Sequence, residues 1–328
     1  MRQRMAAGAG AVTLVAAVFL LNFYRLPVVA LVPGPAEDVL TRIRIDGGAK
    51  VYDSRGRLYL TSVGIDDDVR FYEGLLDLAN HDVQLRPRAE LYPQGETPEQ
   101  VDQQNVFDMR ASKTVATVVA LRQLGYRIEP SGVEVTEVLH GTPADGTFRP
   151  GDRVLRVDRN KVGSVGAVQT AIRRHRVGDR VGFQLRRGKG VKEVSVRVGA
   201  DEEGKPRVGV LLTDLFEHLP VRITIDTENI GGPSAGLMFT LSIIDKLSPE
   251  DLTAGRRIAG TGEITVDGDV LPIGGIAEKL IGARRQGATV FLIPKDNCNE
   301  VRGHVPAGLR LVRVANVDDA LAFLRQLG

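Results

Sequence analysis

The chain has 328 residues, of which 43% are hydrophobic and 26% are charged, and its formal net charge is +2. This balance fits one or two globular domains with hydrophobic cores and gives no indication of a nucleic-acid partner. The single cysteine, Cys298, excludes an intrachain disulfide framework. The five histidines are scattered without the spacing of metal ligands, so we predict no metal site.

An uncharged run rich in Ala, Val and Leu occupies residues 5–24, between Arg4 and Arg25. A helix needs about 20 apolar residues to span a bilayer, so we predict a single transmembrane anchor within residues 1–36 that contacts the lipid bilayer. Positive charge before the run favours a cytoplasmic N-terminus and a chain whose bulk lies outside the cytoplasm. The alternative is a cleaved signal peptide, because Val28-Val29-Ala30 loosely resembles a cleavage site.

Residues 37–125 contain two alternating segments that predict strands, at 43–45 and 58–63, with a hairpin turn at 53–56 between them. Further along, Thr97 is a suitable N-cap for a helix that has Pro98 as its first residue and ends near Leu124-Gly125. These elements are too few to close a core alone. We therefore expect this region to pack against a later part of the chain.

Residues 126–199 change to short strands and turns, and they resemble a PDZ domain of the bacterial protease-associated type. The residues that carry the resemblance are Gly132-Val133, Thr142-Pro143-Ala144, Pro150-Gly151-Asp152-Arg153-Val154, Val157 and Arg186-Arg187-Gly188. The resemblance implies a β-rich domain that binds an extended peptide as an added strand at a sheet edge, with a backbone loop for the terminal carboxylate. That loop is expected at Leu124, Gly125, Tyr126, Arg127 and Ile128. The alternative is a small β-barrel that acts only as a spacer.

Residues 200–328 begin with a polar linker at 200–205 and then alternate strands with helices, which predicts a mixed α/β (α+β) domain. Its first strands are expected at 207–212 and 221–225. The helix after Ser234 is apolar nearly all round, so we expect it to be buried.

Gly232-Pro233-Ser234-Ala235-Gly236 predicts a serine in the first turn of that helix, beside free backbone N–H groups that can hold an oxyanion. Such a serine is either a helix-start residue or a nucleophile. The spacing also fits the nucleophile elbow of α/β-hydrolases, but only His304 follows it as a candidate base. Too little chain remains for the rest of that fold, so we discount this reading.

A lysine is the other base that activates a serine, and Lys279 is the candidate. Small residues lie one helical turn before and after it, at Gly275, Gly282 and Ala283, so its face can press against protein. Burial there would lower the pKa of the lysine from about 10.4 towards the working range of a base. By residue type alone, a solvated surface lysine is the ordinary alternative.

Residues 206–328 resemble the proteolytic domain of Lon proteases. Three motifs in the family's order carry the resemblance. They are the segment 232–236, Thr261-Gly262-Glu263-Ile264-Thr265, and the segment 268–280, which includes Gly274-Gly275-Ile276-Ala277-Glu278-Lys279. A further matching stretch, Leu292-Ile293-Pro294-Lys295, follows them. Together with the apolar N-terminal run and the PDZ-like stretch, the chain resembles the membrane-anchored, PDZ-containing Lon-like proteases of bacteria.

This resemblance implies a catalytic dyad of Ser234 and Lys279, with Thr261 beside the lysine and the backbone N–H groups of Ser234 and Ala235 at the oxyanion. It also suggests a homo-oligomeric ring, for which the residues themselves carry no evidence. The chain departs from the family at Gly231, where the ATP-dependent members have an acidic residue. It also contains no recognisable phosphate loop, so we expect no use of ATP.

The sequence therefore predicts a transmembrane anchor at residues 1–36, an early part of the Lon-like fold at 37–125, a PDZ-like domain inserted at 126–199 and the Lon-like proteolytic domain at 200–328. The predicted function is ATP-independent endopeptidase activity on flexible or unfolded polypeptides outside the cytoplasmic membrane. The alternative is a catalytically silent membrane adaptor that presents peptide ends to another protease. An adaptor has no need of a serine and a lysine in these motifs, which argues against it.

Overall fold

The computed structural model describes residues 25–80, 82–92, 97–201, 203–228, 230–301 and 305–328. The predicted membrane anchor at residues 5–24 lies outside these ranges. No helix within them is long and apolar enough to cross a membrane. The chain divides into two compact units: the first joins the residues up to Gly125 to those from Val221 onwards, and the second is Tyr126–Pro220.

The N-terminal part of the first unit contributes four strands and three helices. They are β1 (Val28–Asp38), β2 (Ile43–Asp46), β3 (Arg57–Asp66), α1 (Phe71–Ala79), β4 (Gln84–Pro87), α2 (Arg88–Leu91) and α3 (Pro98–Gln123). The predicted start of α3 is confirmed, because the hydroxyl of Thr97 accepts from the N–H of Gln100 while the Gln100 side chain accepts from the N–H of Thr97. This reciprocal cap fixes the first turn of the helix.

The second unit is an antiparallel sheet with one helix. Its elements are β5 (Gly132–Val138), β6 (Arg153–Val157), β7 (Asn160–Lys161), α4 (Val165–Arg173), β8 (Arg180–Arg187), β9 (Gly190–Arg197), β10 (Gly199–Ala200), β11 (Pro206–Arg207) and β12 (Val210–Leu215). The strand order is β12-β5-β6-β8-β9, with β7 paired to β6. The inward residues of these strands form a core of their own around Val135, Val157 and Phe183.

The C-terminal part of the chain completes the first unit. It supplies β13 (Arg222–Ile225), α5 (Gly236–Leu247), β14 (Arg257–Gly260), β15 (Glu263–Ile264), β16 (Val270–Leu271), α6 (Ile276–Arg285), β17 (Val290–Pro294), β18 (Arg310–Val314) and α7 (Val317–Arg325). Short 3₁₀ turns lie at Val39–Thr41 and Lys295–Asn299.

The main sheet of the first unit has the order β18-β17-β14-β3-β1-β4. Strand β3 pairs in parallel with β14 and antiparallel with β1, so strands from before and after the second unit share one sheet. Alternate residues of each central strand enter two different cores: Leu58 and Leu292 pack with α3, α5 and α7, whereas Tyr59 and Phe291 pack with α6. Burial on both faces explains the continuous apolar runs at residues 58–60 of β3 and 290–294 of β17.

Three expectations differ from the structure. The predicted hairpin is wrong, because β2 pairs with β13 while β3 belongs to the main sheet. The range 1–36 predicted for the anchor region overlaps the long strand β1 (Val28–Asp38), which has a register shift between Pro33 and Ala36. Finally, the strand expected at 207–212 to open the proteolytic domain is β12 of the second unit, which extends to Pro220 rather than to residue 199.

Candidate active site

Ser234 lies in a tight turn just before α5, whose first residue is Gly236. We expected the serine inside the first helical turn, whereas the structure places it immediately ahead of that turn. The N–H of Gly236 donates to the carbonyl of Pro233 at 3.2 Å and closes the turn. Gly232 has a φ of +81°, a conformation that residues with side chains rarely adopt. The glycine and the turn together present Ser234 at the helix start.

Helix α3 fixes this turn through two hydrogen bonds. The hydroxyl of Ser112 donates to the carbonyl oxygen of Pro233 at 3.0 Å, and the N–H of Gly232 donates to the carbonyl of Asn105 at 2.8 Å. Sequence reasoning missed both α3 residues, because it read this helix only for its apolar face. A Cβ on Gly231 would lie 2.9 Å from that of Asn105, so this position has no room for an acidic side chain without a shift.

Lys279 is buried by the close packing of α6. The helix starts directly after Gly275, whose φ is +65°, and the lysine is only 4% exposed. One turn later, Gly282 packs against the backbone of Gly34 in β1, with no space for a Cβ. The small residues around Lys279 therefore do bring its helix against the sheet, as their spacing predicted.

The structure brings Ser234, Lys279 and Thr261 together. The Nζ of Lys279 donates to the Oγ of Ser234 at 2.8 Å and to the Oγ1 of Thr261 at 3.2 Å. Thr261 is fully buried, and its hydroxyl donates in turn to the carbonyl of Ser234 at 3.0 Å. Because its own proton is used in this bond, the Thr261 oxygen is left to accept from the lysine, which fixes the direction of the amine.

Burial lowers the pKa of Lys279 from its ordinary 10.5 to about 8. Removal from water penalises the ammonium form of a lysine and leaves the neutral amine comparatively stable. A substantial fraction of the side chain is then neutral in mildly alkaline solution. A neutral amine 2.8 Å from a serine hydroxyl has the geometry needed to accept its proton.

The backbone N–H groups of Ser234 and Ala235 were expected at the oxyanion. Neither donates a hydrogen bond to another residue in the described ranges. By contrast, the N–H of Leu237 donates to the carbonyl of Gly262 at 3.0 Å. Among the described residues both donors are therefore unused, and they lie beside Ser234 at the positive end of the α5 dipole.

A cleft of about 720 Å³ opens over the site and is lined by both Ser234 and Lys279. Its remaining wall is largely apolar and includes Val63, Val106 and Ile230. These three residues come from β3, α3 and the loop before Ser234. The cleft is thus built from segments far apart in sequence, which explains why no local motif revealed it.

The carboxylate loop of the PDZ-like stretch was predicted at residues 124–128, which connect α3 to β5. Leu124 caps the C-terminus of α3 and packs against the core of the first unit, and Gly125, with a φ of +85°, ends that unit. Tyr126, Arg127 and Ile128 follow as irregular chain ahead of β5. The five residues therefore belong to one irregular segment that ends at the start of β5.

The described part of the second unit offers an edge strand elsewhere. Strand β12 pairs with β5 on one side only, and the N-terminus of α4 lies beside it, because the N–H of Val165 donates to the carboxylate of Asp214 in β12 at 2.7 Å. The other end of the sheet, β9, carries the charged residues Lys192, Glu193 and Arg197, which discourage the addition of a further strand.

The described residues contain no group of His, Cys, Asp and Glu side chains that could hold a metal ion. Cys298 is a free thiol of intermediate burial and packs at the margin of a core.

Comparison with known proteins finds similarity to known domains in two stretches of the chain. Residues 211–325 match the Lon protease (S16) C-terminal proteolytic domain, and residues 107–198 match the PDZ domain. The Lon protease of Azospirillum brasilense is 41% identical over 111 residues, which cover 33% of this chain and 13% of that protein. The Lon protease of Clostridium beijerinckii is 44% identical over 111 residues, which cover 32% of this chain and 14% of that protein. The chain thus spans about an eighth of the length of these relatives.

Among solved structures, the chain is similar to the PDZ domain of an SdrC-like protein from Listeria monocytogenes. The two are 26% identical, with a TM-score of 0.25, over 26% of this chain and 93% of the other. The chain thus contains a Lon-protease-like proteolytic domain and a PDZ domain.

Proposed function

We propose that this protein is an ATP-independent serine endopeptidase in which Ser234 is the nucleophile and Lys279 is the general base. The observation that carries the proposal is the 2.8 Å contact between Nζ and Oγ, made by a lysine that is only 4% exposed. An ordinary surface lysine would be solvated, charged and unable to take a proton from serine. Thr261 acts as the residue that positions the amine.

In the first half of the reaction, the neutral amine of Lys279 takes the proton of Ser234 as Oγ attacks the substrate's carbonyl carbon. The oxyanion that forms accepts hydrogen bonds from the free N–H groups of Ser234 and Ala235. The Lys279 ammonium then returns its proton to the leaving amine as the C–N bond breaks. Water attacks the remaining acyl ester, again with Lys279 as base, and regenerates the serine.

The substrates we propose are flexible or partly unfolded polypeptides. The sequence contains no recognisable phosphate loop that would supply ATP-driven unfolding. The cleft above Ser234 has a volume of about 720 Å³, which suits a short extended segment better than a folded domain. Matches to Lon proteases and a PDZ domain support polypeptides as the class of substrate.

The PDZ domain would capture an extended peptide at the free edge of β12, beside α4, rather than at residues 124–128. Such an edge supplies main-chain donors and acceptors to an added strand. We also propose that residues 5–24 anchor the chain in the cytoplasmic membrane, with the peptidase outside the cytoplasm, because this uncharged run has the length of a membrane span.

The test is hydrolysis of casein, a disordered protein, by the full chain in mild detergent without nucleotide. Ser234→Ala and Lys279→Ala should each remove cleavage, while the matched variants Ser248→Ala and Lys192→Ala should retain it. Circular dichroism establishes that each variant is folded. Full activity of folded Ser234→Ala would refute the peptidase proposal. Absence of cleavage by the parent chain itself would favour the adaptor alternative.

A further inference from the structure

Helix α1 exposes an apolar face that no described residue covers. Tyr72, Leu75, Leu76 and Leu78 are 42%, 55%, 67% and 75% exposed. At roughly 3.6 residues per turn, Tyr72, Leu75 and Leu76 share one side of the helix and Leu78 adjoins them. Single exposed apolar residues are normal on a protein surface, but four on a nine-residue helix mark an interaction site.

The rest of the helix surface is accounted for. Glu73 borders the apolar face and Asp77 lies beyond it, and the Glu73 carboxylate accepts from the N–H of Arg70 and from the hydroxyl of Tyr72. Gly74 is buried, and its face of the helix lies against Leu26 and Val69. The apolar side of α1 therefore points away from the unit to which the helix is attached.

The first described residues of the chain lie against the start of this helix. The N–H of Leu26 donates to the carbonyl of Val69 at 2.9 Å, and Arg25 forms a β-bridge with Arg70, the N-cap residue of α1. Arg25 directly follows the uncharged run at residues 5–24. The point at which that run ends is thus next to the first turn of α1.

We propose that the apolar face of α1, formed by Tyr72, Leu75, Leu76 and Leu78, inserts into the interfacial layer of the lipid bilayer in which residues 5–24 are anchored. The proposal rests on the membrane location given under Proposed function and not on the peptidase chemistry. A helix with one apolar face suits the boundary between head groups and acyl chains. The exposed arginine Arg25 and the ring of Tyr72 are residue types that favour this depth.

The charges near α1 determine what kind of lipid it needs. The helix carries Glu73 and Asp77 and no basic residue, and the acidic segment 66–68 precedes it. The basic residues beside the helix, Arg25, Arg70 and Arg88, are fewer than these five carboxylates, so this surface is net negative. Apolar burial, rather than attraction to anionic head groups, therefore drives insertion. Vesicles of zwitterionic phosphatidylcholine should suffice, and added anionic lipid should not increase insertion.

The experiment uses the full chain with Cys298→Ser and a single new cysteine that carries an environment-sensitive nitrobenzoxadiazole probe. Leu76→Cys reports on α1, with Leu78→Cys as a second position should the first misfold. Arg325→Cys is the control: it lies on α7, which packs beside β18, at the opposite edge of the main sheet from β4. The labelled proteins are reconstituted into phosphatidylcholine vesicles, with and without spin-labelled lipid.

We expect a blue shift of the probe on α1 and at least twofold quenching by the spin-labelled lipid, with neither effect at residue 325. A blue shift that lipid does not quench would mean that another protein, such as a second copy of this chain, covers the face, and it would overturn the proposal. A probe spectrum like that in water, recorded on protein that floats with the vesicles, would also overturn the proposal. Failure to float would refute the membrane location and this inference together, while casein cleavage still decides the peptidase proposal.

Discussion

Gly282 of α6 and Gly34 of β1 pack backbone to backbone, with no room for a side-chain atom between them. This contact sets how closely α6 approaches the sheet and hence how deeply Lys279 is buried. Gly282→Ala should push the helix outwards, readmit water and raise the pKa of the lysine. Each unit by which the pKa rises lowers the neutral fraction, and with it kcat/KM at pH 7, by about tenfold.

The pH dependence of kcat/KM measures this effect directly. The rate of the parent chain should rise through a pKa of about 8, and that of Gly282→Ala should rise at a higher pH. Gly166→Ala serves as the control, because Gly166 is also helical but the nearest atom to its added Cβ is 4.0 Å away. Identical profiles for folded Gly282→Ala and the parent would show that the contact does not govern the lysine.

Thr261 should act on the reaction through the direction of the lysine amine. Thr261→Val keeps the shape of the side chain but removes the oxygen that accepts from Nζ at 3.2 Å and donates to the Ser234 carbonyl. A hydrogen bond to a charged group contributes about 1.5–3 kcal/mol, so kcat should fall about 10- to 100-fold. Thr261→Ser retains the hydroxyl and should restore most of the rate, with KM nearly constant throughout. Equal losses for the two variants would contradict a role for the hydroxyl.

Burial of Lys279 should destabilise the folded chain. Its pKa is lowered from 10.5 to about 8, so between these values the unfolded chain binds more protons and the free energy of unfolding rises with pH. Below pH 8 the full cost remains, about 3 kcal/mol at about 1.4 kcal/mol per tenfold change in proton affinity. Lys279→Met should therefore raise the melting temperature at pH 7 by several degrees and flatten its rise towards pH 10.

Differential scanning calorimetry at a series of pH values tests this prediction, since it follows the two units without assuming a single transition. Lys192→Met, at an exposed position in the second unit, is the matched control and should leave the curve of the first unit unchanged. A lower melting temperature for Lys279→Met at pH 7 would mean that its hydrogen bonds outweigh the cost of burying the amine.

The second unit should depend on the ion pair between Arg187 and Asp152. The guanidinium meets both carboxylate oxygens, at 2.7 and 2.6 Å, and the aspartate side chain is only 1% exposed. Burial by itself raises the pKa of Asp152, but the bonds from Arg187 and from the N–H of Arg149 outweigh it and lower the pKa. Arg187→Ala leaves this carboxylate buried and unpaired, so the second unit should lose about 3–5 kcal/mol.

Urea unfolding of the second unit provides the measurement, and Arg186→Ala, its exposed neighbour on the same strand, should change stability by no more than about 0.5 kcal/mol. The pKa of Asp152 is lowered in the folded state, so the ion pair stabilises the folded second unit at pH values above the ordinary aspartate pKa of about 4. This contribution to the free energy of unfolding is lost as the pH falls. The difference between Arg187→Ala and the parent should accordingly shrink below pH 4. A difference in stability that does not change with pH would mean that the loss comes from packing of the arginine side chain and not from the ion pair.

Local signals in the sequence predicted local structure well. Thr97 and Pro98 located the start of a 26-residue helix, and the small residues around Lys279 indicated a buried face. The predictions that failed concern pairing between segments far apart in the sequence. Strands β2 and β3 look like a hairpin because they are neighbours in sequence, yet β2 finds its partner, β13, about 180 residues later. No pattern within either strand encodes that choice.

The sequence did not predict that β12 forms the free edge of the second unit's sheet, for a related reason. The polar residues 200–205 read as a linker, so the strand that follows them was assigned to the proteolytic domain. It instead returns to pair with β5 and becomes the edge of the sheet. The supports of Ser234 from α3 were missed because Ser112 and Asn105 act through backbone carbonyl and amide groups more than 100 residues away.

Strand β3 leaves the ribosome long before β14, its parallel partner, because the whole second unit is translated between them. The PDZ domain has all of its strands by residue 215 and can fold while the first unit still lacks α5, β14 and α6. Neither Ser234 nor Lys279 exists on the nascent chain at that stage. The order of synthesis therefore delays assembly of the cleft until almost the whole polypeptide has emerged.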